Sequence, residues 1–144
     1  MNTQALISLG SNLGDCKAIL DDAISSFKET LGVEVRGVSS YYETAPVGGP
    51  PGQGSFLNAV ALLGTTQSAI ELHCVLREIE SKAGRVRVVR WGERTLDLDL
   101  LLFGDLVLSG TDLILPHPRM AFRRFVLEPA AEIAPATCVR SDRR

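Results

Sequence analysis

The sequence predicts an α+β domain in which an antiparallel sheet is covered by helices, and three observations carry that expectation. The chain has 144 residues with 45% hydrophobic composition, enough for one core, since a domain of this size buries roughly two thirds of its unfolded surface. Two segments repeat apolar residues at three- and four-residue intervals, the period of a helix with one buried face. Around them lie short runs rich in Val, Leu, Ser and Tyr, bounded by Gly and Pro, in the order strand, helix, strand, strand, helix, strand. That order is the split βαβ, or ferredoxin-like, sandwich, read here as one domain over residues 1–144.

The first strand is Ala5 to Gly10, an apolar run that breaks at Gly10-Ser11-Asn12, where Asn12 reads as a helix cap. Leu13, Cys16, Ile19, Leu20, Ala23, Ile24, Phe27 and Leu31 make the stripe of a first helix closed by Gly32. Val33 to Thr44 reads as one strand. Gly48-Gly49-Pro50-Pro51-Gly52-Gln53-Gly54 cannot hold regular structure and reads as a loop. Phe56 to Leu63 returns as a strand. Ser68 and Glu71 form a capping box for a second helix with the stripe Leu72, Val75, Leu76, Ile79 and Ala83, ended by Gly84. Residues 85–95 are a loop dense in Arg. Leu96 to Phe103 is a strand whose end, Leu100-Leu101-Leu102-Phe103, is apolar on both faces, which predicts a central place in the sheet. Leu106 to Leu108 is expected to pair with it through a turn at Gly104-Asp105, and Pro116, Pro118, Pro129 and Pro135 punctuate a tail of turns and short helical pieces.

A formal net charge of -2 argues against a general nucleic-acid or membrane-surface binder, whose field is normally positive. Any basic site must be local. Arg outnumbers Lys by 12 to 3, and the planar guanidinium fork suits phosphate oxygens better than a point charge does. Cys16, Cys74 and Cys138 are odd in number and lack C-x-x-C or Cys/His spacing, so reduced thiols in a cytoplasmic protein are expected rather than a disulfide framework or a zinc site. The start of the chain has no basic segment followed by a long apolar one, and no apolar run approaches the ~20 residues that span a bilayer. A soluble, unprocessed chain is the expectation.

Asp97 and Asp99 lie two apart on a predicted strand, so both carboxylates project from one face while Leu96, Leu98 and Leu100 face the other. Such a pair suits magnesium, which takes one or two carboxylates together with substrate phosphates and waters. Alone, the D-x-D pattern is more often that of a solvent-facing strand edge. Its place at the entrance of an apolar strand, where unpaired acids are costly, points towards a cation. Just upstream Lys82, Arg85, Arg87, Arg90 and Arg94 bracket the loop, with Glu93 the only acid before Asp97. Arginines facing a carboxylate pair suit a polyphosphate, although a solvated charge run fits the same residues. No Walker motif is present, and Gly10-Ser11-Asn12-Leu13-Gly14 is not a dinucleotide fingerprint. His117 between two prolines reads by itself as a turn residue, His73 as structural, and Tyr41, Tyr42, Phe56, Trp91 and Phe125 as core or as a sandwich for a flat heterocycle.

Taken together, Arg90-Trp91-Gly92-Glu93-Arg94-Thr95-Leu96-Asp97-Leu98-Asp99-Leu100-Leu101-Leu102-Phe103-Gly104 resembles the signature of the 6-hydroxymethyl-7,8-dihydropterin pyrophosphokinases. Leu9 to Gly14, Ser39 to Gly48, Phe56-Leu57-Asn58-Ala59 and Leu115 to Met120 follow the same family in its order, from about residue 4 to Pro135. The resemblance implies a ferredoxin-like fold and transfer of diphosphate from ATP to the hydroxymethyl group of the reduced pterin, with release of AMP, in folate biosynthesis. It implies two magnesium ions held by Asp97 and Asp99. Arg94 matches a triphosphate-binding arginine and Arg85 a basic residue of a catalytic loop. Arg87, Arg90 and Trp91 match positions that close over ATP, His117 and Arg123 further nucleotide contacts, and Arg77 and Glu80 nucleotide-side positions. Thr44, Ala45, Val47, Phe56, Asn58 and Phe125 match the pterin pocket, with the Asn58 amide reading the heterocycle and Phe56 and Phe125 stacking on it. The loops at Gly48–Gly54 and 85–95 would act as lids. Expected partners are these small molecules, not nucleic acid or membrane, with the chain a monomer. The rivals are a phosphohydrolase using the same acids and arginines, an RNA-binding sheet, whose aromatic motif is missing, and an inactive pterin-binding protein.

Overall fold

A computed structural model describes residues 3–12, 15–44, 56–83, 96–110 and 113–116. Strands β1 (Thr3–Ser11), β2 (Val33–Val38), β3 (Tyr42–Thr44), β4 (Phe56–Thr65) and β5 (Asp97–Phe103) form one sheet, with helices α1 (Cys16–Glu29) and α2 (Ala69–Lys82). The sheet order is β2-β4-β1-β5, with β3 also on β4, and every pairing is antiparallel. Helix α1 therefore joins two strands that flank β4, and α2 joins two that flank β1. This is the ferredoxin-like arrangement expected from the element order.

Both helices lie on one face. Leu20, Ala23 and Phe27 of α1 and Leu72, Leu76 and Ile79 of α2 meet Ala5, Ile7 and Leu9 of β1, Ala59, Ala61 and Leu63 of β4, and Leu98, Leu100 and Phe103 of β5. Leu20, Phe27, Leu72 and Leu76 are fully buried, each contributing about 1.5–3 kcal/mol of transfer free energy. The capping box of α2 forms as expected: Glu71 N donates to Ser68 Oγ at 3.1 Å, and Ser68 N to Glu71 Oε1 at 2.8 Å.

Five expectations need correction. The cap of α1 is Asp15, whose Oδ1 accepts from Ala18 N at 3.3 Å, while Asn12 is buried before the helix begins. Leu31 is not part of the stripe but 92% exposed. Helix α1 stops at Glu29, and Val33 N donates to Thr30 O at 3.2 Å across a turn in which Gly32 has φ +81°. The single strand expected over 33–44 is two, because Ser39 puts its hydroxyl where the ladder would place a carbonyl: Val60 N donates to Ser39 Oγ at 2.9 Å. Strand β5 is the last strand of the described sheet rather than central. Its two apolar faces reflect burial on both sides, since Leu6, Val60 and Leu101 are buried outside the helix-facing cluster, and a bulge opposite Leu6 and Ile7 shifts its register. Finally, the partner of the segment after Gly104 is not β5. Strand β6 (Leu108–Ser109) pairs with β7 (Ile114–Leu115).

Candidate active site

The period-two alternation that aims Ile7, Ala59 and Leu98 at the helices aims their neighbours the other way. Gly10 of β1 pairs with Asn58 of β4 on one side and with Asp97 of β5 on the other, and Asn58 pairs in turn with Tyr42 of β3. One row thus runs Tyr42, Asn58, Gly10, Asp97 across the face turned away from α1 and α2. A second row places Val60, Ser8 and Asp99 side by side. Strands in a sheet lie 4.7–4.9 Å apart, so the Asp97 and Asn58 backbones are roughly 10 Å apart with only the hydrogen of Gly10 between them. The floor between the acids and the amide is flat for that reason.

At the far side of this floor Asn58 Nδ2 donates to Thr44 Oγ1 at 2.7 Å, which fixes the plane of an amide only 6% exposed. A Cβ on Gly10 would lie 3.1 Å from Asn58 Oδ1, so the carbonyl end of that amide leans over the glycine. Phe56, half-buried, pairs with Thr44 and lies two residues before Asn58 on the same face. A flat heterocycle placed here meets an oriented amide, a hydroxyl and an aromatic ring.

At the near side, Asp97 and Asp99 are both half-buried on one face of β5. Among the described residues no three His, Cys, Asp or Glu side chains converge on one point. Two neighbouring carboxylates fit magnesium, whose other positions are taken by phosphate oxygens and water; they do not form the all-protein cage of a structural zinc site.

Arg77 and Glu80 do not reach this face from the strands; they approach β5 from α2. Glu80 is fully buried, and its Oε2 accepts from Leu98 N at 2.7 Å. Arg77 Nη2 donates to Leu98 O, and Arg77 Nε lies 3.4 Å from Glu80 Oε1. Ala45, Val47, Arg85, Arg87, Arg90, Trp91, Arg94, His117, Arg123 and Phe125 lie outside the described residues, as do both expected lid loops. The sequence reading gave no role to Gly10. Its signal was available, because a glycine inside a strand marks a place where something approaches the backbone closely, but the approaching group is on β4.

Residues 6–135 match the model of the 7,8-dihydro-6-hydroxymethylpterin-pyrophosphokinase (HPPK) family. The chain is similar to a 2-amino-4-hydroxy-6-hydroxymethyldihydropteridine pyrophosphokinase of Bacillus subtilis, 47% identical over 133 residues that cover 92% of this chain and 79% of that one. A Pseudomonas aeruginosa protein of the same name is 41% identical over 135 residues, 94% and 83% of the two chains. The fold is similar to wild-type HPPK-DHPS of Plasmodium falciparum crystallised with SDX-DHP, with TM-score 0.66 and 14% identity over 93% of this chain. This chain spans 40% of that longer one. No helix among the described residues is long and apolar enough to cross a membrane.

Proposed function

Since the chain belongs to the 7,8-dihydro-6-hydroxymethylpterin-pyrophosphokinase family, and so transfers pyrophosphate from ATP to hydroxymethyldihydropterin in folate biosynthesis, we propose that the face of its sheet turned away from α1 and α2 is where the two substrates meet. The observation that carries this reading is the row Asn58, Gly10, Asp97. That row supports the reading because it puts the Asn58 amide and the Asp97 carboxylate on one surface, with only the Gly10 position between them among the described residues.

On this reading the Thr44 hydroxyl holds the Asn58 amide, Asn58 presents donor and acceptor to the pterin edge, and Phe56 packs on the ring. The hydroxymethyl group then points along the row towards β5. Its oxygen attacks the β-phosphorus of ATP in line and gives up its proton to water, the bond from that phosphorus to the α,β-bridging oxygen breaks, and AMP leaves with that oxygen. Asp97 and Asp99 would hold two magnesium ions, and bound magnesium supplies charge neutralisation along the triphosphate. Arg94 and Arg85 are proposed to contact the phosphates, Arg85 chiefly as charge develops. Arg87, Arg90, Trp91, His117 and Arg123 complete the nucleotide side, and Ala45, Val47 and Phe125 the pterin side. A monomeric, cytoplasmic enzyme is part of the same proposal.

Incubation with ATP, magnesium and 6-hydroxymethyl-7,8-dihydropterin should release AMP only when the pterin is present. Steady ATP hydrolysis without pterin would make the protein a phosphohydrolase instead. Asp97→Asn and Asp99→Asn should each keep the fold and lose most of the transfer activity, since a hard cation loses a charged ligand. Near wild-type turnover of both variants at limiting magnesium would remove the acids from the mechanism.

A further inference from the structure

We propose that Arg77 and Glu80 are positioning residues, a clamp on the Leu98 backbone that aims the Asp97 and Asp99 carboxylates. The inference rests on the reading of those acids as the magnesium ligands. Leu98 stands between them, and its two outward backbone groups are both taken by α2: Glu80 Oε2 accepts from Leu98 N at 2.7 Å, and Arg77 Nη2 donates to Leu98 O.

The consequence follows from peptide geometry. The Leu98 N–H belongs to the planar unit shared with Asp97, and the Leu98 C=O to the planar unit shared with Asp99. Holding both planes fixes the direction in which each Asp Cα–Cβ bond leaves the strand. On the opposite edge the same residues are in register with Gly10 and Ser8 of β1, so this stretch of β5 is held from both sides. Such support matters here for two reasons. Strand β5 is the last in the described sheet, where a row of backbone groups would otherwise face outward. Its register also shifts at the bulge only a residue or two beyond Asp99, and bulges bend and twist a strand.

The chemistry of the clamp argues against simple edge protection. A fully buried carboxylate carries a large desolvation cost unless it is paired and hydrogen-bonded, and a neutral side chain could cap one amide. Glu80 takes the amide with one oxygen while Arg77 lies 3.4 Å from the other. The carboxylate and guanidinium pair with one another as well as with the strand, behind two acids that on this reading attract a cation.

The test compares four proteins: wild type, the volume-matched double variant Arg77→Met/Glu80→Met, Glu80→Gln, and Asp97→Asn. Removing a buried ion pair whole is often tolerated; Glu80→Gln, which keeps an oxygen acceptor, serves if the double variant does not fold. Hydrogen exchange at the Leu98 amide is read without metal. Mn2+ is then titrated into protein saturated with α,β-methylene-ATP, whose α–β bridge cannot be cleaved, and affinity for the analogue alone is measured separately. The double variant should expose the Leu98 amide to exchange and weaken Mn2+ binding about 10- to 100-fold, the range seen when supports of metal ligands are removed, with analogue affinity unchanged. Glu80→Gln should keep the amide protected and recover most of the Mn2+ affinity. If Asp97→Asn loses Mn2+ but the double variant keeps it or loses only analogue affinity, or if Glu80→Gln loses Mn2+ with its Leu98 amide still protected, the positioning role is overturned and the metal reading stands. If Asp97→Asn itself keeps full Mn2+ affinity, the metal reading fails and the clamp's role falls with it.

Discussion

At Gly10 a methyl group would lie 3.1 Å from Asn58 Oδ1, tighter than side-chain contacts usually run, so the amide would have to give by a few tenths of an ångström. It has little room to do so, because Nδ2 is held on Thr44 Oγ1 at 2.7 Å. Gly10→Ala should therefore act on the pterin side alone. The expected result is a pterin KM raised about 3- to 10-fold, with ATP KM within about twofold of wild type. Unchanged pterin KM would mean that the Asn58 amide does not read the heterocycle. The acids at 97 and 99 were legible as a pattern because their spacing alone puts them on one face. Gly10 was not, since its meaning lies in a residue that only the β1–β4 register brings beside it. The same holds for Arg77 and Glu80: the sequence placed them on a helix, and only packing shows that they grip β5.

Local signals gave the helices but not every detail of them, since Asp15 rather than Asn12 caps α1 and Leu31 falls outside its buried stripe. The apolar period gave both helices, and the Ser68–Glu71 box gave the start of α2 within one turn. Strand limits and order depended on non-local bonds. Ser39 shows this: its hydroxyl accepts from Val60 N in the buried ladder, freeing the backbone to leave the sheet before β3. Ser39→Ala should strand that buried N–H and cost about 1–3 kcal/mol in denaturant unfolding; a loss below the error of the measurement would show that another acceptor takes over. Next to it, Tyr41 Oη donates to Asp21 Oδ1 at 2.5 Å, tying the β2–β3 connection to α1. That bond, helped by Lys17, holds the Asp21 carboxyl below its ordinary value of 3.8. Burial first and then Asp21 push the Tyr41 hydroxyl up. Asp21's share of stability is thus present above pH 3.8 and lost as pH falls, while Tyr41's is present below about pH 10 and lost as pH rises. In Tyr41→Phe the Asp21 carboxyl should titrate closer to 3.8 by NMR; an unshifted titration would assign its depression to Lys17.

Across the whole molecule, the proposed site lies on the sheet face opposite the helix-packed core, a face on which Leu6, Val60 and Leu101 are also buried. The helix side carries the fully buried Leu20, Phe27, Leu72 and Leu76, while the other side carries the row from Asn58 through Gly10 to Asp97. Strands β1, β4 and β5 serve both, because alternation sends every second residue to each side. The faces should therefore be separable by mutation, provided the cut on the helix side is far from the clamp. Leu20 on α1 meets that condition, and Arg77 and Glu80 lie on the other helix. Leu20→Ala should lower unfolding free energy by about 2–5 kcal/mol, through lost transfer energy and the cavity left behind. Well below its melting temperature, the folded enzyme should keep both KM values and a kcat within about twofold of wild type. Denaturant unfolding and steady-state kinetics on one preparation would test it. A variant that stayed as stable as wild type but lost turnover would show that α1 acts on the catalytic face, and the division between the faces would fail.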